Sequence, residues 1–136
     1  MQQGFFLLTT CDLKNILDLN KLDCFSLLLA GVCHDLGHDG FNNTFHVNSV
    51  SSRAIDSNDG AVQEIYHVAE MFRLVTQDKL NFLKNLRREE FMIFRKRVIG
   101  LILATDMANH AGHLSSLKNI ISEHEIEKGK NVQKWI

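Results

Sequence analysis

Residues 22–38 read LDCFSLLLAGVCHDLGH, and this stretch decides the predicted fold. Its apolar residues recur at spacings of three and four, at Leu22, Phe25, Leu28, Leu29 and Val32. This spacing is typical of a helix that buries one wide face. The chain contains no proline and its eight glycines are scattered, so long helices meet few breakers. We expect this helix to end near Gly37 and the chain to form an all-α, compact multi-helix domain.

The same spacing predicts three further helices. Their apolar positions are Val62, Ile65, Ala69, Phe72 and Val75, then Phe91, Phe94, Val98, Leu101 and Ile102, and then Leu114, Leu117, Ile120 and Ile121. The turn-forming residues 58–60 are expected to cap the first of these helices at its N-terminus. The basic residues 95–97 are predicted to face solvent, and a polar tail at 123–134 follows the last helix. Residues 37–59, rich in Asn, Ser, Asp and Gly, are predicted to form loops and short helices that carry functional groups.

Length and composition indicate one globular unit. A chain of 136 residues fits one domain, so residues 1–136 are predicted to form a single unit. Fifteen basic and sixteen acidic residues nearly cancel, which argues against nucleic acid as a partner. The three cysteines, Cys11, Cys24 and Cys33, lie in largely apolar surroundings, so we expect reduced, buried thiols in a cytoplasmic protein. The longest apolar run, 25–33, is far shorter than the roughly 20 residues that cross a bilayer, so no transmembrane segment is predicted.

The end of the first predicted helix carries a candidate metal site. His34 and Asp35 are adjacent there, and His38 follows His34 at a spacing of four residues, so the two imidazoles can share one helical face. A neutral imidazole suits zinc, and a carboxylate suits magnesium or manganese. Together they could serve a centre of two metal ions that clamps a phosphate and converts a bridging water to hydroxide. Taken alone, these residues are equally compatible with a helix C-terminus where His and Asp satisfy the end of the backbone.

Three longer motifs favour the metal site. The segment HDLGHDGFNNTF at 34–45 closely resembles the signature of class I cyclic nucleotide phosphodiesterases, in which His-Asp is followed by His, Gly and Asn at fixed offsets. The segment NDGAVQEIYHVA at 58–69 resembles that family's helix opening, where a glutamate precedes a histidine by three residues. The segment ATDMANH at 104–110 is similar to the family's Ala-Thr-Asp-Met motif. The three motifs occur in family order, and the similarity around them covers nearly the whole chain.

The resemblance implies a role for each residue of the first motif. His34 would bind the more tightly held of two divalent metal ions, and Asp35 would bind both. The ions would be Zn²⁺ together with Mg²⁺ or Mn²⁺. His38 would lie beside the bound phosphate of the cyclic nucleotide and its bridging water, and Asn43 would support the substrate pocket.

The two later motifs supply residues that act around the metals. The resemblance implies that Glu64 orients the catalytic histidine that protonates the leaving oxygen, that Thr105 hydrogen-bonds water on the second metal, and that Met107 lines the substrate pocket. Plain structural roles remain open: core packing for Met107, a first-turn carboxylate for Glu64 and helix termination for Thr105. The remaining histidines are predicted to be ordinary polar residues, with His67 the first exception to consider: His46, His67, His110, His113 and His124.

The resemblance also implies groups that these 136 residues do not contain. The family has an upstream His-Asn-x-x-His motif, which supplies the general acid and a first histidine ligand. Downstream it has a second aspartate ligand and the residues that hold the purine. We therefore expect an incomplete HD-type metal phosphohydrolase domain for cyclic AMP or cyclic GMP, inactive as an isolated chain. The alternatives are another HD-type phosphohydrolase and a non-catalytic helical interaction remnant, and cyclic nucleotide selectivity and oligomeric state stay open.

Overall fold

The computed structural model of the chain describes residues 2–132, with side chains as far as residue 122. The helices are α1 (Gln2–Thr9), α2 (Leu13–Ile16), α3 (Lys21–Cys33), α4 (Asn43–Asn48), α5 (Ser52–Ser57), α6 (Val62–Val75), α7 (Arg88–Leu103) and α8 (His110–Val132), with a 3-10 turn at Met107–Asn109. This part of the chain contains no strand, so the all-α prediction is confirmed. Among the described helices, none has both the length and the apolar character that crossing a bilayer requires.

The chain divides into two units, Met1–Thr105 and Asp106–Ile136. The first unit holds α1 to α7 and the apolar core. The second unit holds the 3-10 turn and α8, and α8 continues through most of the predicted polar tail to Val132. Residues 133 and 134 of that tail lie outside the described residues. The prediction that residues 1–136 form a single unit of one catalytic domain stays a prediction.

The core of the first unit forms where α3 and α6 pack against α7. Helix α7 contributes three residues with no exposed surface, Phe94, Val98 and Ile102. The Phe94 ring stacks on Phe25 of α3 at a centroid distance of 5.5 Å and meets the edge of Phe72 of α6 at 6.4 Å. These contacts fix the ends of α3 and α7 and the face of α6, and the predicted site residues His34, Asp35, Glu64 and Thr105 lie on these helices or directly after them.

Two predictions about the helix faces need correction. In α3 the fully buried residues are Ser26 and Ala30, whereas Val32 is exposed. Ser26 fits the core because its hydroxyl donates a hydrogen bond to the Leu22 carbonyl oxygen at 2.7 Å, which leaves no unpaired polar group. The basic residues of α7 are also not all solvated, since Arg97 pairs with Asp23 at 2.7 Å and the Arg95 guanidinium lies 4.2 Å from the centre of the Phe72 ring.

The segment between α3 and α6 consists of short helices and turns, as predicted. Asn42 and Ser51 cap α4 and α5 through their side chains. The expected N-cap of α6 at residues 58–60 is wrong, because Asn58 instead ends α5 in a left-handed conformation and Ala61 occupies the N-cap position without a side-chain hydrogen bond. The three cysteines are free, but Cys11 is exposed and Cys24 and Cys33 are half-buried, so the prediction of buried thiols is wrong for Cys11.

Candidate metal centre and active site

His34 and Asp35 stand at the first turn beyond the end of α3. The helix ends at Cys33, and the turn is closed by hydrogen bonds from Leu36 N to Cys33 O at 3.0 Å and from His38 N to Asp35 O at 3.1 Å. This turn places both side chains at the C-terminal end of a helix whose other side is packed on the core. They are partly open to solvent, so an ion or a substrate can reach them.

The His34–Asp35 contact suits a shared cation. His34 Nδ1 lies 3.1 Å from the Gly31 carbonyl oxygen, and a carbonyl can only accept, so Nδ1 carries a proton. The other ring nitrogen, Nε2, lies 3.2 Å from Asp35 Oδ2. When the His34 ring is neutral, Nε2 and the Asp35 oxygen each present a lone pair to the other. Their proximity therefore calls for a proton or a cation between them. Two ligands of one zinc ion at about 2.0–2.2 Å stand roughly 3.0–3.4 Å apart, so the observed separation fits a common metal.

A second group of possible ligands meets at Asp35. Asp35, His38 and His67 each present one ligand atom, and the three atoms lie within 4.8 Å of one another. His67 comes from α6, which packs against both α3 and α7. The group therefore joins residues that are 32 positions apart in the chain. Asp35 belongs to this group and also contacts His34, so it is the residue common to both sets of candidate ligands.

The environment of His67 keeps its ring neutral. The residue is only 1% exposed, and its Nδ1 lies 2.8 Å from the Leu36 carbonyl oxygen, so Nδ1 carries the proton. Burial lowers the pKa of His67 below its usual value, and this outweighs the hydrogen bond to Leu36 and the nearby carboxylates of Asp35 and Glu64, which raise the pKa. Its Nε2 is thus an available lone pair near neutral pH.

His38 has the opposite arrangement of ring protons. Its Nδ1 accepts a hydrogen bond from the Gly40 backbone N–H at 2.9 Å, so in the neutral ring the proton is on Nε2. The His38 and His67 rings stack at a centroid distance of 5.6 Å with an angle of 24° between their planes. Nε2 of His38 is therefore a hydrogen-bond donor, and Nε2 of His67 is an acceptor. A donor suits a phosphate oxygen or a water better than a metal ion, and the role that the resemblance implies for His38 stays a prediction.

Asn43 and Glu64 are brought together although they are 21 residues apart. Asn43 Nδ2 donates to Glu64 Oε2 at 2.9 Å, and Asn43 Oδ1 accepts from the backbone N–H of Gln63 at 2.9 Å. The asparagine thus caps the start of α6 and holds the glutamate side chain at the same time. Glu64 is a first-turn carboxylate of α6, as the structural alternative has it, but it is half-buried and bound by Asn43 rather than exposed. This geometry leaves one carboxylate oxygen of Glu64 for a further donor.

Thr105 shares a cleft with His34. The cleft has a volume of about 290 Å³, and it is bordered by α1, α3 and the end of α7. The Thr105 hydroxyl donates to the Ile102 carbonyl oxygen at 2.7 Å, as in the helix-termination role, yet its oxygen can still accept a hydrogen bond from water. Met107 is exposed and belongs to the second unit, so the prediction that it lines the substrate pocket stays a prediction.

Two of the histidines set aside on sequence grounds are buried. His67 joins the ligand group, and the only sequence signal for this was its place three residues after Glu64 in the second motif. His46 is also buried, but its ring nitrogens contact Ser51 and Asp39, so it belongs to a hydrogen-bond network beside the site. His110 and His113 lie in the second unit, and the side chain of His124 lies outside the described residues.

Comparison with known proteins places these residues in a family. A family model described as 3'5'-cyclic nucleotide phosphodiesterase matches residues 1–135. The 3',5'-cyclic-nucleotide phosphodiesterase regA of Dictyostelium discoideum is 37% identical over 112 residues, which are 82% of this chain and 14% of that protein. The dual specificity calcium/calmodulin-dependent 3',5'-cyclic nucleotide phosphodiesterase 1 of Drosophila melanogaster is 41% identical over 114 residues, again 82% and 14%.

A solved structure has the same fold. The crystal structure of the phosphodiesterase domain of the RhoPDE fusion protein from the choanoflagellate Salpingoeca rosetta superposes with a TM-score of 0.72 at 36% identity. The match covers 74% of this chain and 32% of that one. The chain thus spans about a third of that structure and 14% of the length of these two curated relatives.

Proposed function

Because the chain belongs to the 3',5'-cyclic nucleotide phosphodiesterase family, we propose that its residues form part of a catalytic site that hydrolyses 3',5'-cyclic nucleotides to 5'-monophosphates. The observation that carries the proposal is the position of the Asp35 carboxylate, which contacts His34 Nε2 and also forms a group of candidate ligands with His38 and His67. A carboxylate between imidazoles suits a phosphoester hydrolase that uses divalent ions, and a purely structural helix end does not need it.

The donors fit a pair of divalent cations. In the proposed site His34 and Asp35 would hold one ion, for which the imidazole nitrogen favours zinc, and Asp35 would also serve a second, harder ion such as Mg²⁺ or Mn²⁺. Ions of this kind would supply a Lewis acid for the phosphate and lower the pKa of bound water. The Nε2 lone pair of His67 would accept a hydrogen bond from water in the same site.

The other residues orient and neutralise the substrate. His38, protonated at Nε2, donates a hydrogen bond toward the negatively charged phosphate, which gains negative charge as water adds. Glu64, held by Asn43, offers its second oxygen to orient the imidazole that protonates the leaving oxygen. The Thr105 hydroxyl oxygen accepts from water in the cleft that it shares with His34. Met107 completes the proposal as a wall of the substrate pocket.

Substrate and location belong to the same proposal. We expect cyclic AMP, cyclic GMP or both as substrates, because the names of the Dictyostelium and Drosophila relatives specify cyclic nucleotides as a class. A cytoplasmic location is supported by the three free cysteines, one of them exposed, since exposed thiols persist in a reducing compartment.

A segment exchange tests the proposal. The matching 114 residues of the Drosophila phosphodiesterase would be replaced by those of this chain, and hydrolysis of cyclic AMP and cyclic GMP measured with added Zn²⁺ and Mg²⁺. We expect hydrolysis in the chimera and a loss of about 100-fold or more in Asp35→Ala and His34→Ala. Arg73→Ala, which changes an exposed residue of α6, is the control and should leave the rate unchanged. A chimera that folds, binds metal and hydrolyses neither nucleotide contradicts the proposal, as does an active Asp35→Ala variant.

The chain by itself is expected to hydrolyse cyclic nucleotides at a negligible rate. Its 136 residues supply two of the metal ligands that the family uses, and they contain no His-Asn-x-x-His motif to provide the general acid. Loss of a general acid alone lowers a rate by about 100-fold to 10,000-fold. The same assay on the 136-residue chain measures this, and robust turnover would show that other residues of the chain replace the missing groups.

A further inference from the structure

The loop at residues 37–43 carries two site residues and is held by polar contacts. His38 lies on it after the end of α3, and Asn43, where the loop ends, is the first residue of α4. Gly37 and Gly40 both have positive φ angles, of 74° and 91°, so the loop follows a backbone path that glycine permits and most residues resist. A path of this kind is kept only if surrounding groups hold it, because the loop contributes no residue to the buried apolar core.

Gln63, at the start of α6, holds the middle of the loop. Its side chain is 3% exposed, and its amide nitrogen donates to Asp39 Oδ1 and to the Phe41 carbonyl oxygen, each at 2.7 Å. Both donor hydrogens of the amide are therefore used on the loop. Its amide oxygen accepts from Arg53 Nη1 at 2.5 Å, so the orientation of Gln63 depends on Arg53.

Arg53 of α5 binds the loop at two places and also packs on α6. Its Nη2 donates to the Gly37 carbonyl oxygen at 3.1 Å, its Nη1 lies 3.3 Å from Asp39 Oδ2, and the guanidinium carbon lies 3.6 Å above the centre of the Tyr66 ring of α6. The Arg53 side chain is 16% exposed, so these contacts are shielded from water far more than a surface ion pair. A planar guanidinium can make this fork of contacts at once, whereas a lysine ammonium cannot.

The far end of this network meets the imidazole of His38. Gly40 lies between Asp39 and Phe41, the two residues that Gln63 binds, and the Gly40 N–H donates to His38 Nδ1. That hydrogen bond decides which nitrogen of the neutral His38 ring carries the proton. The path from Arg53 to His38 therefore runs through the side chain of Gln63 and then through residues 39–41 of the loop. Each contact along it is a hydrogen bond of 3.3 Å or less.

We infer that Arg53 is a positioning residue, because it binds Gly37, Asp39 and Gln63 at once and so holds the loop at residues 37–43 in place. In this position of the loop, the Gly40 N–H stays hydrogen-bonded to His38 Nδ1, and the His38 proton therefore stays on Nε2. The contacts of Arg53 do not depend on the reaction, whereas their importance for hydrolysis rests on the function proposed above. Arg53 reaches the site through other residues, so its removal changes the orientation of His38 and leaves the ligand atoms of Asp35 and His67 in place.

Backbone hydrogen exchange and ring-nitrogen spectra of the metal-free chain test this inference. In Arg53→Met, the Gly40 and Phe41 amides are expected to exchange about tenfold faster, since each loses the support of its hydrogen bond. The His38 Nδ1 resonance is expected to move at a pH where the ring is neutral, while the His113 ring of α8 serves as an internal reference. Amides of α7 around Val98 should exchange at their wild-type rate.

Arg73→Met is the matched control, because Arg73 pairs with Glu70 on the exposed side of α6 and has no contact with the loop. Arg53→Lys keeps a positive charge for Asp39 but loses the fork, so we expect a smaller change of the same kind. Unchanged Gly40 exchange and an unchanged His38 spectrum in Arg53→Met overturn the inference. Equal acceleration of loop and α7 amides, or loss of folding in both Arg53 variants, overturns it too, since the guanidinium would then be a general core element.

The outcome is separable from that of the proposed function. The exchange and ring-nitrogen measurements need neither metal nor substrate, so they decide the role of Arg53 even if the chimeric enzyme is inactive. In an active chimera, Arg53→Met is expected to lower kcat about tenfold with a smaller change in KM, since His38 acts on the phosphate as charge develops. If the chimera is active and Arg53→Met has the wild-type kcat, the proposed function stands and the role of Arg53 in hydrolysis is contradicted.

Discussion

The α3–α7 core and the Gly37–Asn43 loop are held in place by different forces. In the core, Phe94, Val98 and Ile102 are fully buried and pack on apolar neighbours. In the loop, the fixed contacts are hydrogen bonds and an ion pair to Gln63 and Arg53. Apolar packing is non-directional and tolerates small shifts, whereas a hydrogen-bond network specifies positions and depends on charge. The scaffold that carries His34 and Asp35 is thus built by burial, and the loop that carries His38 is built by directed polar contacts.

The largest expected effect comes from emptying the core. Phe94→Ala removes a ring with no exposed surface that contacts three other phenyl rings, so we expect a loss of about 3–5 kcal/mol in the free energy of unfolding. Urea denaturation followed by circular dichroism measures this. Phe5→Ala, at an exposed phenylalanine of α1, is the control and should change stability by less than about 1 kcal/mol. Similar losses for both variants would show that the α3–α7 contact is not the main source of stability.

A glycine pair separates backbone constraint from packing. Gly37→Ala puts a side chain on a residue with φ of 74°, and the new Cβ would meet Tyr66 Cε1 at 3.1 Å, so we expect a loss of about 1–2 kcal/mol. Gly100→Ala, in the last turn of α7 with open space around it, should instead stabilise the chain by about 0.5–1 kcal/mol. Urea unfolding curves of the two variants measure whether the free energy of unfolding falls in Gly37→Ala and rises in Gly100→Ala. A neutral Gly37→Ala substitution would mean that the loop adapts freely and that its path is not fixed.

The loop, unlike the core, is expected to weaken in acid. Burial tends to raise the pKa of Asp39, but hydrogen bonds from Gln63, Phe41 N–H and His46 and the charge of Arg53 bring it down to about 2. Because the folded pKa is below the ordinary value, the stabilisation is fully present above about pH 4 and is lost as the pH falls toward 2.

Asp39→Asn removes this titration. The difference in unfolding free energy between wild type and Asp39→Asn should shrink by on the order of 1 kcal/mol between pH 5 and pH 2.5, a modest amount because solvent screens a side chain that is 31% exposed. Urea midpoints at several pH values measure this. A difference that stays constant with pH would show that Asp39 is not held as an anion by the network.

The smallest expected effect lies at the start of α6. Ala61 occupies the N-cap with φ of 41° and ψ of 50°, a left-handed conformation that costs a non-glycine residue about 1–2 kcal/mol. Ala61→Gly removes this cost and adds flexibility to the unfolded chain, so we expect a net gain of about 0.5 kcal/mol. Thermal unfolding measures the gain, and a clear loss of stability would mean that the Ala61 methyl group makes a contact that outweighs the strain.

The two regions also differ in how well the sequence predicts them. The spacing of apolar residues was sufficient to predict α3, α6 and α7, because a buried helix face repeats every three to four residues. The motif at 34–45 led to His34, Asp35, His38 and Asn43, and the structure brings each of the four into contact with another site residue. These predictions rest on local pattern, which a single sequence displays.

The Arg53 network could not be predicted in the same way. Asp39, Arg53 and Gln63 are separated by 10 to 24 residues and have no periodic spacing, so only the packing of α5 against α6 shows that they meet. His67 was underestimated for a related reason, since its burial depends on the turn at Leu36. The N-cap of α6 was misplaced because Asn58 and Asp59, which favour both turns and caps, end α5 instead.

The central claim, that Asp35 is the shared ligand of a divalent metal site, is tested most directly by metal binding to the 136-residue chain. Titration with Zn²⁺ and with Mn²⁺ in a calorimeter should give weak but saturable binding, which Asp35→Ala reduces at least about tenfold. Asp56→Ala, at an exposed carboxylate of α5 outside the ligand group, should bind as the wild type does. Equal affinity in all three proteins would contradict the claim.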